Sequence, residues 1–182
     1  MIVNPIGFLK GNFKCFCRFQ SEYMAKKIRI GWFSFSCCED NTVLFAELLN
    51  DHFFMVQEKF DIINAKVLQN VNKWEEMDVA FVEGAIANPH DEETLKKIRG
   101  LSKTVVAIGS CACTGMPSAH RNNFDENTQH EIRFLKDKFN LLDKVHPLKD
   151  IVKVDMEVPG CPMDENKFLE ALTAVIKMYG DQ

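Results

Sequence analysis

Cys37, Cys38, Cys111, Cys113 and Cys161 are the side chains through which this sequence could ligate a metal. Cys15 and Cys17 bring the cysteines to seven, and an odd number without a signal-peptide pattern does not read as a secreted disulfide framework. Reduced thiols in a cytoplasmic setting are the expectation. Four thiolates drawn from separate loops suit a tetrahedral zinc ion or a [4Fe–4S] cube. Zinc sites usually bring paired Cys-x(2–4)-Cys knuckles, and none is present. A cluster accepts ligands scattered over more than a hundred residues, and the well-placed cysteines suffice for one cube. Glu83 ends an apolar run, where a carboxylate either relays protons or orders a loop by accepting backbone N–H bonds.

Elements must bring these residues together. Ile28-Arg29-Ile30-Gly31-Trp32-Phe33-Ser34-Phe35 reads as a strand, and Cys37-Cys38 follows it. Val43, Leu44, Phe45, Leu48 and Leu49 then recur at helical spacing after an Asp40-Asn41-Thr42 cap cluster. Short apolar strands are predicted at 61–65, 79–82 and 104–108. The second of these leads into Glu83-Gly84 and the third into Gly109-Ser110-Cys111-Ala112-Cys113, which reads as a loop. Helices are predicted from Pro89, with Leu95, Ile98 and Leu101 on one face, through Ile132, Leu135 and Phe139, and after an Asp164 cap. A polar loop covers 117–125, and a short extended stretch at 152–158 reaches Pro159-Gly160-Cys161-Pro162. Strands alternating with helices give one α/β fold, a doubly wound parallel sheet. In such sheets sites form outside the carboxyl ends of the strands, and every one of these cysteines follows a strand.

Composition narrows the function classes. Hydrophobic residues form 46% of 182 and charged residues 26%, enough for a packed core and against disorder. A net charge of −4 argues against nucleic-acid binding, and no apolar run approaches the length of a membrane span. Residues 1–27 differ from the rest, with Pro5, Gly7, Gly11 and a basic bias. They are expected to be a loosely attached extension, with Met24 an alternative start, ahead of a domain over 28–182. Ser34-Phe35-Ser36 could imitate a flavin-phosphate loop, but the cysteines would then be accidental. No Gly-x-Gly-x-x-Gly follows the first strand, and the five histidines read as solvated or capping groups.

The combination of Cys37-Cys38, Val82-Glu83-Gly84-Ala85-Ile86, Gly109-Ser110-Cys111-Ala112 and Pro159-Gly160-Cys161-Pro162 resembles the small subunits of [NiFe]-hydrogenases and the related 20 kDa subunit of respiratory complex I. The resemblance covers about residues 28–178. It implies a flavodoxin-like domain holding one proximal [4Fe–4S] cluster against a large subunit. Carried over motif by motif, Cys111 and Cys161 match ligands. Hydrogenase small subunits have Cys-x-x-Cys after the first strand, whereas the complex I subunit has adjacent cysteines, as Cys37-Cys38 are here. The implied ligand set is Cys37, Cys38, Cys111 and Cys161, with Cys113 as an alternative because adjacent ligands strain the backbone. Val82-Glu83-Gly84 and the stretch to Arg121-Asn122-Asn123-Phe124 lean towards soluble multi-subunit hydrogenases.

The resemblance implies an electron-transfer subunit, partnered with a hydrogenase-like large subunit carrying the catalytic metal and with further Fe–S or flavin subunits. The chain shows no cysteines for medial and distal clusters. A complex I-type subunit relaying electrons towards quinone is the second reading, and a non-catalytic Fe–S or zinc-binding accessory protein the third. Phe35, Ile86 and Met116 are the expected contacts of the cysteine-bearing edge with a partner. Arg121 is expected to be solvated or to pair with that partner.

Overall fold

The structure, a computed structural model, describes residues 26–180. The extension at 1–27 therefore lies almost wholly outside the described residues. Five segments pair as parallel strands: β1 (Ile28–Ser34), β2 (Phe60–Ala65), β3 (Met77–Glu83), β4 (Ser102–Ile108) and β5 (Met156–Val158). Their order in the sheet is β2-β1-β3-β4-β5. This is the doubly wound, flavodoxin-like arrangement, in which the strand order reverses direction beside β1.

Both faces of a parallel sheet are covered, so its central strands are apolar on both sides. Every residue of β3 is buried. Alternate side chains go to opposite faces. Ile30, Trp32, Phe81 and Val106 meet Phe45 and Leu48 of α1 (Asp40–Asp51) and Phe168 and Val175 of α6 (Glu165–Tyr179). Trp32 stacks on Phe45 with ring centroids 4.1 Å apart, and Phe168 meets both rings edge-on. On the other face, Ala80, Val82, Val105 and Ala107 pack against Leu95 and Ile98 of α3 (Pro89–Leu101) and Leu148.

The expected cap at Asp164 forms, and Asn88 caps α3 ahead of Pro89, each side-chain oxygen accepting the backbone N–H three residues on. Three local readings need correction. The Asp40-Asn41-Thr42 cluster is not a cap: α1 already includes it, and Glu39 precedes the helix without a side-chain cap bond. A second short helix, α2 (Phe53–Lys59), follows α1. The Gly109–Thr114 segment is a one-and-a-half-turn helix, α4, rather than a loop. Helix α5 (Glu126–Lys138) forms as expected but buries no residue.

Two carboxylates brace the opposite end of the sheet and set its acid sensitivity. Burial pulls the Asp155 pKa up, but the Val105 N–H, the Arg99 guanidinium at 2.5 Å and Lys153 outweigh it and hold it below the usual carboxylate range. Asp78 is likewise pushed up by burial and lowered further by Lys103 at 2.7 Å and the Arg29 N–H at 2.9 Å. A depressed folded-state pKa gives stability that is present above the unfolded value and lost as pH falls through the folded one. Thermal unfolding between about pH 6 and about pH 3 should show a falling midpoint. That fall should be shallower in Asp155→Asn and Asp78→Asn, and an equally steep fall in both variants would exclude these carboxylates as its source.

Candidate metal centre

Three segments at the carboxyl edge of the sheet carry the predicted cysteines, and backbone bonds join them. After β1, the Phe35 N–H donates to the Glu83 carbonyl at 2.9 Å, and Ser36 and Ala85 exchange a pair of bonds. That approach requires Gly84, whose φ is +92 and on which a Cβ would stand 2.7 Å from the Phe35 carbonyl carbon. Cys37 and Cys38 follow, and Glu39 at φ 64 turns the chain into α1. Glu39 is a non-glycine residue in the left-handed region, a local backbone strain directly beside the cysteine pair.

Cys161 lies in a tight turn in which Gly160 and Met163 bridge and the Asp164 N–H reaches the Pro159 carbonyl at 3.0 Å. The Ser110 N–H donates to the Gly160 carbonyl at 2.7 Å, tying this turn to the segment carrying Cys111. Buried Asn41 accepts the Met163 N–H at 2.8 Å and so ties the same turn to the start of α1.

The thiols that these links assemble differ in exposure: Cys111 is buried, Cys37 half-buried, and Cys38 and Cys161 are exposed. Burial and then the Glu83 carboxylate push the Cys37 thiol up to about 12, with smaller upward contributions from Cys111 and Glu39, against the opposing effect of the Glu39 N–H. Cys111 is raised by burial first, then by the nearby Cys161 and Cys38 thiols and Glu83. Burial first and neighbouring acidic groups and thiols next thus raise both Cys37 and Cys111, and metal cations in place of their protons would relieve the repulsion between these groups. Among the described residues, no group of three or more His, Cys, Asp or Glu side chains stands at the spacing of one shared ion.

Cys113 takes no part in this electrostatic group. Two residues along a helix turn a side chain by roughly 200°, so α4 presents Cys111 and Cys113 to opposite sides. The Cys113 Sγ donates to the Ala107 carbonyl at 3.7 Å within the core, where burial and then Glu157 raise its thiol to about 11.

Glu83 is fully buried at the end of β3. Its Oε1 accepts the Ser34 hydroxyl at 2.7 Å and the Thr42 hydroxyl, and Thr42 in turn accepts the Trp32 indole N–H at 2.8 Å. Its Oε2 is buried without a hydrogen-bond partner. Sequence reasoning missed Asn41 and Thr42 here. Their polar run before an apolar helix reads as a cap, and the signal that they are interior lies only in the sheet packed above them.

Ile86 also departs from expectation. It is fully buried and exchanges backbone bonds with His146, so it is no partner contact; Phe35 is half-buried and Met116 exposed. Arg121 is half-buried and donates to the Leu142 carbonyl at 2.8 Å instead of standing in solvent.

A model of the NADH ubiquinone oxidoreductase 20 kDa subunit family matches residues 37–175, from the first site thiol to the last helix and across every site segment between them. The chain belongs to that family. This member of the NADH ubiquinone oxidoreductase 20 kDa subunit family is 32% identical over 141 residues to the gamma subunit of the coenzyme F420 hydrogenase of Methanosarcina barkeri, with 76% of this chain and 50% of that protein covered. It is 23% identical over 166 residues to the delta subunit of the NAD-reducing hydrogenase HoxS of Cupriavidus necator, covering 82% and 79%. Among solved structures, a chain of the NAD+-reducing [NiFe]-hydrogenase in its H2-reduced state superposes with a TM-score of 0.71 at 27% identity, covering 84% of this chain and 93% of that one. The chain spans about half the length of its relatives from Methanothermobacter and Methanosarcina. Membership of the 20 kDa subunit family implies an iron–sulfur cluster in the subunit, which the all-thiol donor set fits. No helix among the described residues is long and apolar enough to cross a membrane.

Proposed function

We propose that this chain is the electron-transfer small subunit of a cytoplasmic [NiFe]-hydrogenase-like oxidoreductase. It passes electrons to or from a metal-bearing large subunit and onward to further Fe–S or flavin subunits. Cys37, Cys38, Cys111 and Cys161 hold one [4Fe–4S] cluster, which supplies one-electron redox chemistry when bound. The observation that carries this reading is the convergence of these four thiols, from three hydrogen-bonded segments, at one edge of the sheet. Cys113 serves the core, and residues 28–182 form the functional domain.

Glu83 has two tasks in this reading. Its Oε1 fixes Ser34 and Thr42, which orders the segments around Cys37. Its bare Oε2 is the atom offered for holding or passing a proton. Glu83→Gln keeps an acceptor for both hydroxyls and removes the proton-carrying group, so it should retain iron while slowing proton-coupled turnover of the assembled complex.

The adjacent pair Cys37-Cys38 and the family match favour a second reading, a complex I-type subunit relaying electrons towards quinone. Anaerobic purification from cells making the neighbouring chains tests both readings. About four irons and four acid-labile sulfides per chain are expected, in a complex whose large subunit has two Cys-x-x-Cys pairs. A homologous large subunit without those pairs selects the quinone-linked reading. Stoichiometric zinc without sulfide overturns both and selects an accessory protein.

A further inference from the structure

We infer that Asn41 is the positioning residue of the cysteine site: its one carboxamide touches all three cysteine-bearing segments and offers a donor to the anionic sulfur group they hold. The inference rests on the iron–sulfur reading above. Asn41 lies inside α1, three residues after Cys38, and is only 6% exposed. Its Oδ1 accepts the N–H of Met163, two residues beyond Cys161, across 122 residues of sequence. Its Nδ2 lies against Gly109, two residues before Cys111, where a Cβ would stand 2.5 Å from that nitrogen. The segment after β1, the start of α4 and the Cys161 turn therefore meet at one side chain.

The contacts at Asn41 are specific to an amide. Gly109 has φ +78, so any other residue there is both strained and blocked by Asn41. The Oδ1 acceptor satisfies a buried backbone N–H that would otherwise lose its partner. The Nδ2 hydrogens meet no protein acceptor among the described residues. Four thiolates carrying a cluster supply what this donor lacks, since N–H groups beside the sulfurs tune such centres. Donation to sulfur stabilises the more negative, reduced state, so Asn41 raises the reduction potential as well as fixing the distances between the segments.

Asn41→Asp and Asn41→Ala separate the two roles. The aspartate keeps an oxygen for the Met163 N–H, loses the donor and adds negative charge. It should retain iron with a lower midpoint potential in an anaerobic EPR-monitored titration. The alanine removes both bonds and should release iron to a chelator ~10-fold faster or more. Asn64→Ala is the control for general destabilisation, because buried Asn64 donates only to the Lys73 carbonyl. It should lower the unfolding midpoint and leave potential and iron release unchanged. Wild-type potential in Asn41→Asp together with wild-type iron release in Asn41→Ala overturns the inference and leaves the iron–sulfur reading intact. A wild-type protein without iron overturns that reading, and this inference with it.

Discussion

Serine at Cys38, Cys111 or Cys161 should abolish or convert the four-iron spectrum of the anaerobically purified protein, and serine at Cys113 should leave it unchanged. A cube bound by four thiolates loses one coordination site with each replacement. Cys38 and Cys161 are exposed in a protein whose fold does not depend on their packing, so their loss acts on the metal and not on the core. Cys113 is buried against Ala107 and faces away from the group, so its replacement costs packing alone. Cys37→Ser tests the adjacent pair directly. If Cys37→Ser keeps the full spectrum while Cys113→Ser does not, the set of Cys37, Cys38, Cys111 and Cys161 is wrong. Cys15 and Cys17 lie outside the described residues, and their double replacement should leave the spectrum as it is.

Gly84→Ala should be strongly destabilising. The new methyl would meet the Phe35 backbone at 2.7 Å and 2.9 Å, and backbone cannot swing aside as a side-chain tip can. The strain of φ +92 adds about 1–3 kcal/mol, and the overpacking about 1–3 kcal/mol more. Together they reach about 2–6 kcal/mol, a large share of the about 5–15 kcal/mol by which an ordinary domain is stable. Relief would come by parting the Ser36–Ala85 bridge, which moves Cys37 as well. Gly100→Ala is the matched comparison. It sits within α3 with nothing within 4 Å of the added methyl, so it should be stabilising by about 0.5–1 kcal/mol. Chemical denaturation of the two variants should displace the midpoint in opposite directions. A Gly84→Ala midpoint within error of wild type would show that the crossing of these two segments is slack.

Much of this was legible in the residues. The strands read as apolar runs because a sheet covered on both faces needs them, and Cys37, Cys38, Cys111 and Cys161 stood out by following strands. The direction of Cys113 was not legible, because Gly109-Ser110-Cys111-Ala112-Cys113 reads equally as a loop. Only the helical twist of α4 sends Cys111 and Cys113 to opposite sides. Asn41 and Thr42 were misread for a similar reason. A polar pair before an apolar stripe is what a cap looks like, and only the Trp32 indole, Glu83 and Met163 show these residues to be interior. Helix α2 escaped notice because Phe53-Phe54-Met55-Val56 is apolar without period and none of it is buried.

The stitching of the site across the whole chain has a consequence for the order of events during synthesis. Cys37 and Cys38 leave the ribosome early, but the turn that holds Cys161 is secured by Ser110 to Gly160 and by Asn41 to Met163, near the far end of the chain. Behind that turn, α6 must dock before Phe168 can close against Trp32 and Phe45. A nascent polypeptide stopped at residue 150 has three of the four thiols and neither of the bonds that place the fourth. On the proposed ligand set, a cluster would therefore be received only after the segments through α6 have folded, by a finished sheet instead of an emerging one.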